Sequence, residues 1–235
     1  MRKGDIRKAA IIDTAEELFY TKGYENTSVQ DVLDALKLSK GGFYHHFESK
    51  LSLLDAICEK RVGAYTDICA KCIDSDNLTG IEKLNCVFAY CTYLKDESQK
   101  YVSIMLDVAY KQQAVMLREH MNIQMRELLR DFVKDAVEEG ISQNIFFAKY
   151  TDELSGILLR LAGELTDEIS FTALKYDSAA DRKIKILSQI NAYSYACETL
   201  LNAPHGSIIM MDEGVVNTLE TALDEIAKNE VLPEE

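Results

Sequence analysis

The chain has 235 residues, 47% of them hydrophobic, with two prolines, eleven glycines and no tryptophan. Against 26 Lys and Arg stand 39 Asp and Glu, a formal charge of −13. This composition is too apolar for a disordered chain, has no uncharged run near the roughly 20 residues of a membrane span, and excludes a protein that coats nucleic acid by charge alone.

Apolar periodicity is helical throughout and no segment alternates like a strand, so the expected fold is all-α. The first helix carries Ile11, Ala15, Leu18 and Phe19 on one face and stops at Gly23. Thr27-Ser28-Val29-Gln30 reads as a capping box, with Thr27 as N-cap and Gln30 at N3 of a short second helix. A tight turn at Lys37-Leu38 follows, and Ser39 caps a third short helix holding Phe43 and Phe47. Ser49 caps a long fourth helix over about residues 50–72. Further amphipathic helices are expected near 78–95, 97–111, 113–139, 151–176, 181–202 and 212–229, with a break at Gly140. Short connections between them predict antiparallel neighbours in a bundle.

The charge is unevenly placed. Residues 1–50 hold eight basic and eight acidic side chains, so the whole −13 lies in residues 51–235. Three short helices, the second and third separated by a tight turn, describe a helix-turn-helix unit. Helix N-termini present free N–H groups that suit phosphate. Lys40 opens the third helix, where side chains reach a major groove; Gly41-Gly42 let backbone approach closely; Tyr44 and His45 project near the same face. Phe43 and Phe47 supply its packed side, and Lys50 adds a charge at the next helix start. His46 is a secondary candidate, and Arg2, Lys3, Arg7 and Lys8 a candidate basic arm.

The string Ser39-Lys40-Gly41-Gly42-Phe43-Tyr44-His45-His46-Phe47-Glu48-Ser49-Lys50, with Ala15, Leu18-Phe19, Gly23-Tyr24 and Thr27-Ser28-Val29, resembles the TetR family of bacterial transcriptional regulators over roughly residues 9–57. The resemblance implies DNA contacts from Thr27, Ser39, Lys40, Gly41, Tyr44, His45 and Lys50. It also implies a helix-turn-helix domain at 1–50 and an effector-binding and dimerisation domain at 51–235. One departure is Lys37, where the family usually has glycine at a left-handed turn. The expected partners are a double-stranded, pseudo-palindromic DNA operator, a small apolar or cationic effector and a second copy of the chain. No membrane partner and no cofactor are expected. The chain start shows no secretory core, so the expected location is cytoplasmic.

For the effector pocket, Tyr65, Tyr90, Met105, Tyr110, Met121, Met125 and Leu161 are candidate wall residues, with Glu164 as a polar member. A Met or Tyr at this spacing also suits a plain core, and Arg160 with Glu164 also suits a surface pair. A leucine-rich seam (Leu154, Leu158, Leu161, Leu165, Ile169) and a second one (Ile184, Leu187, Ile190, Ala192, Tyr195, Leu200) could pair as a four-helix dimer interface. The six cysteines are expected as reduced, buried thiols. An alternative makes Cys69, Cys72, Cys86 and Cys91 a metal or thiol-redox sensor. A third reading is a helical interaction protein without DNA binding. No phosphate loop, nucleophile elbow or metalloprotease motif is present, so the protein is not expected to be an enzyme.

Overall fold

A computed structural model describes residues 3–91, 102–104, 106, 115–176 and 178–231. Among these residues every regular element is a helix: α1 (Lys3–Lys22), α2 (Val29–Leu36), α3 (Lys40–Tyr44), α4 (Lys50–Ile73), α5 (Gly80–Cys91), α6 (Val115–Ser142), α7 (Thr151–Lys175), α8 (Ala179–Leu201) and α9 (Gly214–Val231). None of them is long and apolar enough to cross a membrane.

Helix α1 buries Ile11, Ala15 and Phe19 and ends before Gly23, whose φ of 81° suits a residue without Cβ. The N-cap of α2 is Ser28, one residue later than expected. Its hydroxyl accepts from the Asp31 amide, while the Asp31 carboxylate accepts from the Ser28 amide. Thr27 is displaced from that role because it is fully buried: its hydroxyl donates to the Gly23 carbonyl at 2.8 Å and contacts the Leu18 carbonyl at 3.2 Å. Lys37 takes the left-handed turn at φ 52°, ψ 43°, bonding back to α2 through its amide. Ser39 and Ser49 cap α3 and α4 as expected.

Helix α4 packs against α1 and against the helices that follow it. Near its start Lys60 donates to Asp13 at 2.6 Å and to Glu16 at 3.0 Å on α1, and Leu53, Leu54 and Ile57 are fully buried. Farther along, α4 packs against α5 and α6, and α6 also packs against α7, which packs on α8.

Three expectations change. Gly140 does not end α6, which runs on to Ser142. A Cβ there would lie 2.2 Å from the Phe146 ring, and one on Gly80 would lie 2.2 Å from the Gly140 amide. The glycines mark where α5 and α6 touch backbone to backbone. On α7, Leu154, Leu158, Leu165 and Ile169 are buried inside the single chain, so this seam is monomer core and does not face a second copy. On α8 only Ile190 of the predicted seam is buried, and Ile184 and Tyr195 remain 69% and 62% exposed. Finally, the cysteines are not all free thiols: Cys72 and Cys86 are bonded, with Cα atoms 6.6 Å apart. Cys58, Cys69 and Cys197 are buried.

Candidate nucleic-acid interface

The exposed side of α3 carries Lys40, Gly41, Tyr44 and His45, with Ser39 exposed at its start. Its other side is Phe43, fully buried, whose ring meets those of Tyr44 at 5.4 Å and Phe47 at 5.6 Å. Aromatic packing therefore fixes how α3 rolls, and Tyr44 stays 56% exposed at the rim of that packing. The Ser39 hydroxyl accepts from the Gly42 amide at 3.3 Å, setting the first turn. A Cβ on Gly41 would meet nothing within 4 Å. The fold itself does not require glycine there, so any need for it comes from what approaches from outside.

Four of the seven predicted contact residues (Lys40, Gly41, Tyr44 and His45) thus share one exposed face, with Ser39 at its edge. Thr27 and Lys50 do not join it as free contacts. Thr27 is buried, as described, and Ser28 takes the exposed position beside it. A Ser-x-x-Asp box at 28–31 was as readable as Thr-x-x-Gln at 27–30, and only the packing of Thr27 separates the two. Lys50 donates to the Tyr24 carbonyl at 2.8 Å and lies 4.1 Å from the Tyr24 ring centroid. Its ammonium is tied to the turn between α1 and α2. Arg7 and Lys8 are exposed residues of α1 itself rather than of an extended arm, Lys8 lying 5.9 Å over the Phe47 ring; Arg2 lies outside the described residues.

Positive charge gathers locally around His46, beside His45, Arg7 and Lys8, with Asp5 opposing it. His46 has its proton affinity lowered, first by desolvation and then by the neighbouring charges of His45, Arg7 and Lys8. On α2, the hydrogen bonds of Ser28, together with Lys22, lower the Asp31 carboxyl to about 2. Lys22 lies 3.1 Å from that carboxylate.

The predicted pocket is less complete. Met125 is buried and Leu161 half-buried, but Glu164 is exposed on the outside of α7 and cannot be an interior carboxylate. The side chains of Tyr65, Tyr90, Met105, Tyr110 and Met121 lie outside the described residues. The carboxylate turned between helices is Glu168, one turn on from Glu164, which accepts from the Tyr193 hydroxyl and the Gln189 amide, both at 3.1 Å. Among the described residues no three His, Cys, Asp or Glu side chains converge as metal ligands.

Residues 11–57 match the family model for bacterial regulatory proteins of the tetR family. A solved TetR-family transcriptional regulator from Pectobacterium atrosepticum shares the fold with a TM-score of 0.64, covering 87% of this chain and 100% of that one, at 18% identity. Residues 11–57 thus carry the TetR-family domain. Over 144 residues it is 28% identical to the transcriptional repressor KstR2 of Rhodococcus jostii, which covers 57% of this chain and 67% of that protein. It is 50% identical over 48 residues to YuxN, an HTH-type transcriptional regulator of Bacillus subtilis, which covers 20% of this chain and only 16% of that protein. The family model spans α2, α3 and parts of α1 and α4, the part of the chain that carries the exposed face of α3.

Proposed function

We propose that this protein is a homodimeric, effector-responsive repressor of the TetR type, whose α3 reads a pseudo-palindromic operator. The observation that carries the reading is the split of α3: Phe43 locked into the domain, and Lys40, Gly41, Tyr44 and His45 held together on the outside. Lys40 and His45 contact phosphates or base edges, Tyr44 hydrogen-bonds a phosphate, and Gly41 lets the backbone close on the groove wall. Ser39 and Ser28 sit at the helix starts nearest the backbone, and Ser28 takes the place first given to Thr27. Lys50 buttresses the head from inside.

Residues 1–50 form the reading head in this scheme, and residues 51–235 the effector and dimerisation part. Two heads reach successive major grooves when their recognition helices lie about 34 Å apart. The exposed Ile184, Tyr195 and Leu200 on α8 supply the dimer face. The effector binds inside the helical body, where Met125 and Leu161 offer apolar wall and the acidic surplus favours an apolar or cationic molecule. Binding there shifts the population toward a form with α4 swung and the heads out of register. The relative KstR2 is named as a repressor, which supports that sign of regulation.

The test is a mobility-shift titration of the reduced protein on the DNA upstream of its own gene. Sequence-dependent retardation at low salt is expected, weakened at least tenfold in Lys40→Ala. Absence of any specific shift by a folded dimer would overturn the reading.

A further inference from the structure

Helix α4 is held at both ends by quite different devices. At its start Lys50 is tied to Tyr24, and Lys60 to Asp13 and Glu16, so this half moves with the reading head. At its far end Cys72, two residues before the cap Asp74, is bonded to Cys86 in the middle of α5. Helix α5 is itself a fixed post. Gly80 and Gly140 bring its start into backbone contact with α6, the Gly80 amide donates to Gln143 at 2.9 Å, and buried Lys83 donates to Glu139 at 2.6 Å. The 24 residues of α4 span about 36 Å, so a small rotation at the Cys72 end is magnified at the head.

We infer that Cys72 and Cys86 form a reversible thiol–disulfide latch that fixes α4 to α5 and so makes operator binding respond to oxidants. Both residues are half-buried, within reach of small molecules, whereas Cys58, Cys69 and Cys197 are buried. Burial also pushes the Cys69 and Cys197 thiols up to about 12, so they stay protonated and unreactive. The oxidant class is a hydroperoxide. One thiolate attacks the peroxide oxygen, releasing the alcohol and leaving a sulfenic acid; the second thiol attacks that sulfur and expels water. In sum, two thiols and one hydroperoxide give a disulfide, an alcohol and water. A dithiol reductant reverses the step by exchange.

The inference rests on the proposed DNA binding, and the experiment separates the two. Fully reduced protein is treated with cumene hydroperoxide and digested with trypsin, which places Cys72 in peptide 72–83 and Cys86 in peptide 84–95. The expected product is a linked pair of these peptides, two hydrogens lighter, formed also in Cys91→Ser, the other cysteine of the second peptide. Amide exchange over residues 66–74 should slow on oxidation and recover with dithiothreitol. Operator affinity should change at least tenfold between the two states, and Cys72→Ser and Cys86→Ala should hold it at the reduced value under peroxide. Failure of the reduced protein to bind DNA would sink the parent reading alone if the link forms and α4 exchange slows. Binding that ignores oxidation, or changes equally in Cys72→Ser, overturns the latch, as does failure of the 72–86 link to form.

Discussion

Lys50 places its ammonium 2.8 Å from the carbonyl oxygen of Tyr24 and 4.1 Å from the centroid of the same residue's ring. One side chain at the start of α4 thus closes the turn between α1 and α2. A charged hydrogen bond and a cation–π contact that are half-buried together contribute on the order of 1–2 kcal/mol. Lys50→Ala should lower the stability of the protein by about that amount in urea denaturation. Because the charge is already engaged, the slope of log affinity against log salt should stay near the wild-type value. A slope reduced by about one in Lys50→Ala would show that Lys50 leaves Tyr24 for a phosphate when DNA is present.

Lys40 offers the opposite expectation. It is exposed on α3, so its loss should leave stability within about 0.5 kcal/mol of wild type. If it neutralises one phosphate, Lys40→Ala should reduce the salt slope by about 0.9 per half-site. Salt titrations of operator binding by both lysine variants would separate the two roles directly.

Gly41 has open space around its missing side chain, so Gly41→Ala should stabilise α3 by up to about 1 kcal/mol. Operator affinity should fall nonetheless, because the added methyl stands between backbone and groove. A variant that is more stable and binds as well as wild type would remove close approach from the account of this residue.

The capping box of α2 makes a pH statement. The folded Asp31 carboxyl is lowered to about 2, chiefly by the Ser28 hydrogen bonds and then by Lys22, below the roughly 3.9 of an unfolded chain. Its contribution is therefore fully present above the unfolded value and is lost as pH falls through about 2. Ser28→Ala should cost about 1 kcal/mol at pH 7. The gap between wild type and Asp31→Asn should close between pH 4 and 2 in denaturant melts. Thr27→Ser tests the other half of the corrected cap: it keeps the buried hydroxyl bonded to Gly23 and Leu18 and should be far milder than Thr27→Val.

Much of the head was legible because its signals are local. Ser39 and Ser49 cap the helices they precede, Phe43 is the packed side of α3, and Lys37 takes the left-handed turn. Local pattern misleads where a long-range contact decides. Thr27 and Ser28 both satisfy a capping pattern, and only the burial of Thr27 against α1 chooses between them. Gly140 reads as a helix stop until Gly80 and Phe146 are seen pressed against it. Glu164 and Glu168 lie one turn apart on α7, and the position of α8 decides which points inward. Periodicity likewise marks Leu158 and Leu165 as apolar without saying whether their partner is the same chain or a copy.

In the proposed dimer, the leucines of α7 are taken up by the monomer core, so the face proposed for pairing is the outside of α8. Ile184 and Tyr195 are 69% and 62% exposed, so replacing either with aspartate removes little from the monomer core and should change folding by less than about 1 kcal/mol. In a two-fold interface each substitution acts twice and puts two carboxylates against apolar surface from the partner. Sedimentation velocity of Ile184→Asp/Tyr195→Asp should show a folded monomer at concentrations where the wild type is a dimer. Operator affinity should then fall at least a hundredfold, because a single head loses the second half-site while its own contacts stay intact. A double variant that still sediments as a dimer would place the interface elsewhere on the molecule.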